Sequence, residues 1–129
     1  YEKVAGVLEG YRSGLPREEC FARIHAAYDE YTAHGWCHTI SNAMIVSASL
    51  LYGGGDFGKS VCMAVETGFD TDCNGATVGS VVGMAKGIDE ISEEWKAPMH
   101  DTLHTSIFGV GTVKISDRVA MTMKHIGKI

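Results

Sequence analysis

The sequence lacks several features that define common classes of protein. It has no apolar run long enough to span a membrane, and its first residues, YEKVAGVLEG, do not resemble a secretory signal peptide. Its basic residues are scattered and its formal net charge is -5. A nucleic-acid-binding surface needs a concentrated basic face, so this distribution disfavours one. We therefore expect neither a membrane nor a nucleic acid among its partners.

The cysteines also lack the spacing of a zinc knuckle or a disulfide scaffold. Cys20, Cys37, Cys62 and Cys73 form no C-x-x-C pair. Free thiols in a reducing compartment are the simpler interpretation. We therefore expect a cytoplasmic protein.

The sequence does contain helical periodicity along most of its 129 residues, which is enough chain for one domain with a core. Apolar spacing predicts helices over 2–13, from Pro16 to about Tyr31, over 39–52, between a capping Asp56 and Gly68, and over 73–86, 89–96 and 117–126. Residues 106–116 alternate like a hairpin, but their glycines also suit a loop. We therefore predict a single all-α domain of about seven helices over residues 1–129.

Glycine recurs at every fourth position of the fifth predicted helix, at Gly75, Gly79, Gly83 and Gly87. Each glycine weakens an isolated helix by roughly 0.8–1 kcal/mol relative to alanine. The row is understandable if another helix packs almost backbone to backbone against it. We therefore interpret it as a close-packing face.

The segment GGGDFGKS, residues 53–60, matches the phosphate-binding pattern G-x-x-x-x-G-K-[ST]. A P-loop follows a buried strand within a parallel sheet, whereas residues 40–52 are long for a strand and suit a helix. Asp56 would also place a negative charge in the phosphate cradle. We therefore interpret the match as accidental and the segment as a turn between two helices.

Two carboxylates, Asp70 and Asp72, stand two residues apart where the fifth helix should begin. Capping of the helix explains Asp72 but not Asp70. If the loop is buried, either one carboxylate is protonated or a cation lies between the two. Oxygen ligands favour Mg²⁺, Ca²⁺ or Mn²⁺ over zinc. Taken alone, the pair is a weak signal and favours a solvated capping loop over a cation site.

The surrounding sequence favours a cation site. The segment GFDTDCNGATVGSVVGMAKG, residues 68–87, resembles the C-terminal metal-binding motif of the ADP-ribosylglycohydrolase family, which includes the dinitrogenase-reductase-activating glycohydrolases. That motif is approximately G-G-D-T-D-T/C-N-A-A-x-x-G-x-x-x-G at the start of a glycine-rich helix. Residues 36–68 resemble the two helices that precede it. The resemblance implies an all-α fold, in agreement with the periodicity.

The resemblance also implies a dinuclear site that holds Mg²⁺, with Mn²⁺ as the alternative. The two aspartates of the motif and the residue after them bind metal in the family. Here these residues are Asp70, Asp72 and Cys73, and the two aspartates are also the candidate catalytic residues. Cys73 stands where the family often has threonine, and a thiol is a poor ligand for Mg²⁺. Either the site holds fewer ions or the aspartates alone bind them.

The implied reaction is hydrolysis of the bond that joins ADP-ribose, or a related ribosyl group, to an acceptor. The substrate would be an ADP-ribosylated protein or a small molecule. The candidate substrate-binding residues are His38, Asn42, Gly68, Phe69 and Asn74. Phe69 replaces a glycine often found before the first aspartate, which changes the wall of the pocket. For His38 alone, capping or packing at a helix start explains the residue equally well.

The family's remaining metal ligands come from an N-terminal T-D-D-T-like motif, and these 129 residues contain no such motif. The chain also begins at Tyr1, inside a helical pattern. We therefore expect the C-terminal part of a longer enzyme, inactive without its N-terminal remainder. The alternative is a catalytically inactive member that serves as a binding or structural protein, as the family's lens-crystallin relatives suggest.

Overall fold

The computed structural model describes residues 1–126, and most of them are helical. The described residues form seven α-helices, α1 to α7: Glu2–Arg12, Arg17–Ala27, Thr39–Gly53, Phe57–Glu66, Thr71–Lys86, Glu93–Lys96 and Ile115–Ile126. Two 3₁₀ turns lie at Ile88–Glu90 and Ala97–Met99, and two short strands, β1 and β2, at Thr102–His104 and Thr112–Lys114. The predicted all-α fold of about seven helices is confirmed.

The chain forms two compact units, which are Tyr1–Glu90 and the residues from Ile91 onward. The first unit contains α1 to α5, and α3 contacts each of the other four helices. In the second unit β1 and β2 pair antiparallel with Leu103 opposite Val113, and α7 contacts β2. Every residue predicted for the site lies in the first unit.

Helix α3 separates two apolar clusters. The first cluster joins α1, α2 and α3 and includes the fully buried Ile24 and Ile45. The second joins α4 and α5 around Ala64 and Val78, and Leu50 of α3 packs against it. Because α3 faces both clusters, its apolar residues occur nearly all round the helix.

The glycine-rich segment after α3 is a tight turn between two helices. Gly54 has a left-handed φ of 63° and ends α3, and the Asp56 carboxylate accepts the N–H of Lys59 at 2.7 Å as the cap of α4. A Cβ on Gly53 would lie 1.9 Å from the Oγ of Ser60, so the two helices meet at very short range there. The interpretation of GGGDFGKS as a turn rather than a P-loop is confirmed.

The glycine row of α5 packs differently from our prediction. A Cβ on Gly75 would lie 3.0 Å from the Cγ2 of Val65, and Gly79 also faces side chains of α4 rather than its backbone. Gly87 has a φ of 81° where α5 ends, and no described atom would approach its Cβ within 4 Å. The expected backbone-to-backbone contact is therefore wrong at Gly75 and Gly79. These two glycines instead leave room for the side chains of Val65, Val61 and Phe57 on α4.

Several helix boundaries differ from the prediction, and the ambiguous segment takes one of its two alternatives. The predicted helix over 89–96 is a 3₁₀ turn at Ile88–Glu90 followed by α6 at Glu93–Lys96. Helix α2 ends at Ala27, because the Asp29 carboxylate accepts the backbone N–H groups of Tyr31 and Thr32 and forms a turn. Tyr31 is consequently 87% exposed rather than part of an apolar stripe. Helix α7 begins at Ile115 rather than 117. Within 106–116, residues 112–114 form β2 and most of the rest form the hairpin loop.

The sequence predicts neither a membrane-spanning segment nor a disulfide scaffold. Among the described helices, none combines the length and the apolar character needed to cross a membrane. All four cysteines are free, Cys20 being buried and the other three exposed. The structure therefore places no disulfide among the described residues, in agreement with the spacing of the cysteines.

Candidate functional site

The turn between α4 and α5 positions the predicted site. Gly68 and Phe69 both have positive φ, 86° and 61°, immediately before Asp70. A left-handed φ suits glycine but is rare for a bulky residue. Phe69 nevertheless buries its side chain in the first apolar cluster, with only 6% exposed. This burial offers a reason for an aromatic residue at this strained position.

Three side chains at the start of α5 form a compact group. One potential ligand atom from each of Asp70, Asp72 and Cys73 lies within 4.8 Å of the others. Asp70 is half-buried, and Asp72 and Cys73 are exposed. The N-cap of α5 is Asp70, whose carboxylate makes no capping hydrogen bond, while Asp72 lies in the first turn. The predicted capping by Asp72 is therefore wrong, and the Asp70 carboxylate is not used as a helix cap.

The thiol of Cys73 is coupled to both carboxylates. A hydrogen bond to the Asp70 carboxylate raises the pKa of Cys73, and the negative charges of Asp70 and Asp72 raise that pKa further. The thiol therefore stays protonated near neutral pH and donates to Asp70, whereas metal binding uses the thiolate. The two carboxylates offer the oxygen ligands that a hard cation such as Mg²⁺ or Mn²⁺ prefers.

Asn42 of α3 connects that helix to the metal motif. Its Oδ1 accepts the backbone N–H of Asp70 at 3.3 Å and the Nδ2 of Asn74 at 2.8 Å. Its Nδ2 donates to the backbone carbonyl of Trp36 at 3.1 Å. Asn74 is only 3% exposed, so its amide lies inside the protein. These contacts give both amides, which we predicted to bind substrate, a part in holding the start of α5 in place.

His38 lies at the N-cap of α3, where its side chain makes no capping hydrogen bond. Its ring packs against the rings of Tyr28 and His34, with centroid distances of 5.3 and 5.4 Å. Its Nδ1 is buried and finds no hydrogen-bond partner among the described residues. Of the alternatives raised by the sequence, this geometry favours packing at the helix start.

An open groove of about 530 Å³ lies beside the cluster of Asp70, Asp72 and Cys73, and Asp70 and Cys73 line it. Helix α3 contributes Asn42 and Ala43 to its lining, and α5 contributes Cys73 and Asn74 beside Asp70. A smaller cavity of about 210 Å³ lies between α1 and α2, but neither aspartate of the motif lines it. The larger groove is therefore the better candidate for a substrate pocket.

Sequence reasoning missed Glu30, which lies in the loop after α2. Its Oε2 accepts the backbone N–H of Phe69 at 2.6 Å, across a separation of 39 residues. Nearby, the Nε2 of His25 lies 3.1 Å from the Oγ1 of Thr67, and its ring centroid lies 5.0 Å from that of Phe69. No local pattern marks Glu30, because its role depends on which turn the fold brings against it.

The sequence profile of the ADP-ribosylglycohydrolase family matches residues 2–125. No curated protein and no solved structure gives a significant match. The family match extends well beyond residues 36–87, on which the resemblance was first based, and includes helices on both sides. This chain belongs to the ADP-ribosylglycohydrolase family.

Proposed function

We propose that this chain is part of a metal-dependent hydrolase that cleaves ADP-ribose, or a related ribosyl group, from an acceptor. Membership of the family supports a glycohydrolase. The observation that carries the metal dependence is the close approach of Asp70 and Asp72, whose ligand atoms lie within 4.8 Å of each other beside an open groove. At about this separation two carboxylates repel by roughly 1–4 kcal/mol, so a bound cation stabilises the arrangement.

Mg²⁺, or Mn²⁺ in its place, is the cation that the donor set fits best. Asp70 and Asp72 would hold it through carboxylate oxygens, which are the ligands that these ions prefer. Mg²⁺ takes about six ligands in octahedral geometry, more than the aspartates provide. Water, substrate and the N-terminal remainder of the same protein would complete a site for two ions. We accordingly expect the 129-residue chain alone to be inactive.

The residues around the carboxylates have separate tasks in this proposal. The cations held by Asp70 and Asp72 would supply the Lewis-acid chemistry that activates a water beside the scissile bond. Asn42 holds the backbone of Asp70, and the N-terminus of α5 favours the anionic phosphates of an ADP-ribosyl group. The groove between α3 and α5 would receive the ribose, with Asn42, Asp70 and Asn74 in its wall. Phe69 does not line this groove, because its side chain is buried in the first apolar cluster.

The acceptor to which the ADP-ribose is attached would be a protein side chain or a small molecule. The free cysteines agree with our proposal of a reducing cytoplasm as its compartment. A family member retained only for binding or structure is the competing hypothesis. Cys73 has a thiol in place of the family's frequent hydroxyl, and because a thiol is a poor ligand for Mg²⁺, this residue keeps the alternative open.

Removal of divalent ions from the intact protein should abolish release of ADP-ribose, and added Mg²⁺ or Mn²⁺ should restore it. The reason is that the carboxylates alone provide no Lewis acid. Release is measured by chromatography from arginine-linked and serine-linked ADP-ribosyl peptides, and binding of Mn²⁺ by calorimetry. Full activity in chelator would contradict the proposal. Metal binding without release from either peptide or from a small ADP-ribosyl substrate would favour the binding or structural alternative.

Replacement of Cys73 by Thr should tighten Mg²⁺ binding, on the order of tenfold, because a hydroxyl oxygen is a harder ligand than a neutral thiol. Competition between Mg²⁺ and bound Mn²⁺ measures the change. Cys62→Thr is the matched control, since Cys62 is also exposed but lies on α4, outside the cluster of Asp70, Asp72 and Cys73. Weaker Mg²⁺ binding by Cys73→Thr, or an equal gain in the control, would contradict a ligand role at position 73.

A further inference from the structure

We infer that Glu30 is a positioning residue, which holds the left-handed turn at Gly68 and Phe69 and thereby sets the place of the Asp70 carboxylate. Its Oε2 accepts the Phe69 N–H at 2.6 Å, which is a short hydrogen bond for an N–H donor. The inference rests on the proposed function in one respect, which is that Asp70 binds metal.

The turn needs support because Phe69 has a φ of 61°. A bulky residue in this conformation persists only when its surroundings favour it over an ordinary negative φ. The buried side chain of Phe69 supplies part of that support through the first apolar cluster. The Glu30 carboxylate supplies the contact to the backbone N–H, and the orientation of that N–H depends directly on φ.

Glu30 also packs against the preceding residue of the turn. A Cβ on Gly68 would lie 3.0 and 3.3 Å from the two carboxylate oxygens of Glu30. A larger residue at position 68 would therefore push the carboxylate away, in addition to the strain of its φ of 86°. The glycine before Phe69 thus serves the approach of Glu30 as well as the turn itself.

Two elements distant in sequence hold successive N–H groups of the turn. Glu30, in the loop after α2, binds the N–H of Phe69, and Asn42 on α3 binds the N–H of Asp70. Together they orient the peptide groups on both sides of Phe69 and hence the direction in which Asp70 leaves the backbone. Glu30 is not one of the three residues of the proposed metal site, Asp70, Asp72 and Cys73, so it acts through Asp70.

Four variants of the intact protein test this inference through the dissociation constant of Mn²⁺ and through hydrogen exchange of the Phe69 amide. Glu30→Ala should weaken Mn²⁺ binding about 10- to 100-fold, as loss of a residue that supports a ligand typically does, and expose the Phe69 amide to exchange. Glu30→Gln keeps an acceptor oxygen in place and should stay within about threefold of the parent. Glu30→Asp keeps the charge on a shorter side chain and should resemble Glu30→Ala.

The fourth variant, Glu66→Ala, removes the same charge from an exposed position at the end of α4 and should change neither readout. If Glu30 acted merely by attracting cations, Glu30→Gln would bind Mn²⁺ as weakly as Glu30→Ala, and Glu30→Asp would bind normally. That pattern would overturn the inference. Parental Mn²⁺ affinity or a protected Phe69 amide in folded Glu30→Ala would also overturn it.

The two readouts separate this inference from the proposed function. If the parent protein binds no Mn²⁺, the metal site fails, and amide exchange at Phe69 in the same variants still decides whether Glu30 holds the turn. If Glu30→Ala does not fold, the comparison of Glu30→Gln with Glu30→Asp provides the same test, because the two differ in reach and in charge.

Discussion

Replacement of Asp70 or Asp72 by alanine should abolish metal-dependent hydrolysis, with a loss on the order of 10³-fold or more, equivalent to about 4 kcal/mol of transition-state stabilisation. Each change removes one of the two carboxylates whose ligand atoms lie close together at the start of α5. The measurement is the initial rate of ADP-ribose release by the intact protein at saturating Mg²⁺. Calorimetric titration with Mn²⁺ shows whether the loss follows from metal binding.

Thermal unfolding distinguishes this loss from a folding defect. Without metal, removal of one carboxylate relieves repulsion, so the melting temperature of Asp70→Ala or Asp72→Ala should not fall much. Asp89→Ala is the matched control. Asp89 is an exposed aspartate in the 3₁₀ turn after α5 and does not belong to the cluster of Asp70, Asp72 and Cys73. Unchanged rates in Asp70→Ala and Asp72→Ala would exclude both residues as metal anchors and leave the family fold without an assigned site.

Asn42→Ala should lower both the stability of the fold and the affinity for metal. Its side chain accepts the Asp70 N–H and the buried amide of Asn74, and each buried donor left without an acceptor costs about 1–3 kcal/mol. Because the Asp70 backbone also loses its anchor, Mn²⁺ binding should weaken about 10- to 100-fold. Denaturant unfolding measures the first effect and Mn²⁺ titration the second.

Ser80→Ala is the control for Asn42→Ala, since among residues 1–126 the Ser80 hydroxyl donates only to the carbonyl of Ala76 on its own helix. It should leave both stability and metal affinity nearly unchanged. A stable Asn42→Ala variant with parental Mn²⁺ affinity would show that α3 does not help to place the metal motif. In that case the sequence-based prediction that the amides of Asn42 and Asn74 contact substrate would be the better interpretation.

The helical architecture was predictable because it depends on local patterns. An apolar surface nearly all round residues 39–52 requires burial on several sides, and α3 indeed contacts α1, α2, α4 and α5. Asp56 was identified as a cap from its position before an amphipathic segment, and its carboxylate accepts the Lys59 N–H. The errors arose where local signals compete, as at Tyr31, where the Asp29 turn outweighs a continued apolar spacing.

Packing between helices was less predictable. The row of glycines in α5 indicated a close neighbour, but the sequence did not show whether backbone or side chains would fill the space. In the structure, the side chain of Val65 on α4 reaches Gly75, whereas a Cβ on Gly53 would meet both the side chain and the Cα of Ser60. The same row of small residues suits either arrangement, because only the axial offset of the two helices distinguishes them.

The sequence by itself determined the family, the all-α fold and the grouping of Asp70, Asp72 and Cys73, because these three residues fall within one helical turn and lie together wherever that turn is placed. Only the tertiary structure decided what surrounds them. The bonds from Glu30 to Phe69 and from Asn42 to Asp70 join residues 39 and 28 positions apart. Such contacts leave no local pattern, since they form only after α2 and α3 have packed against the turn.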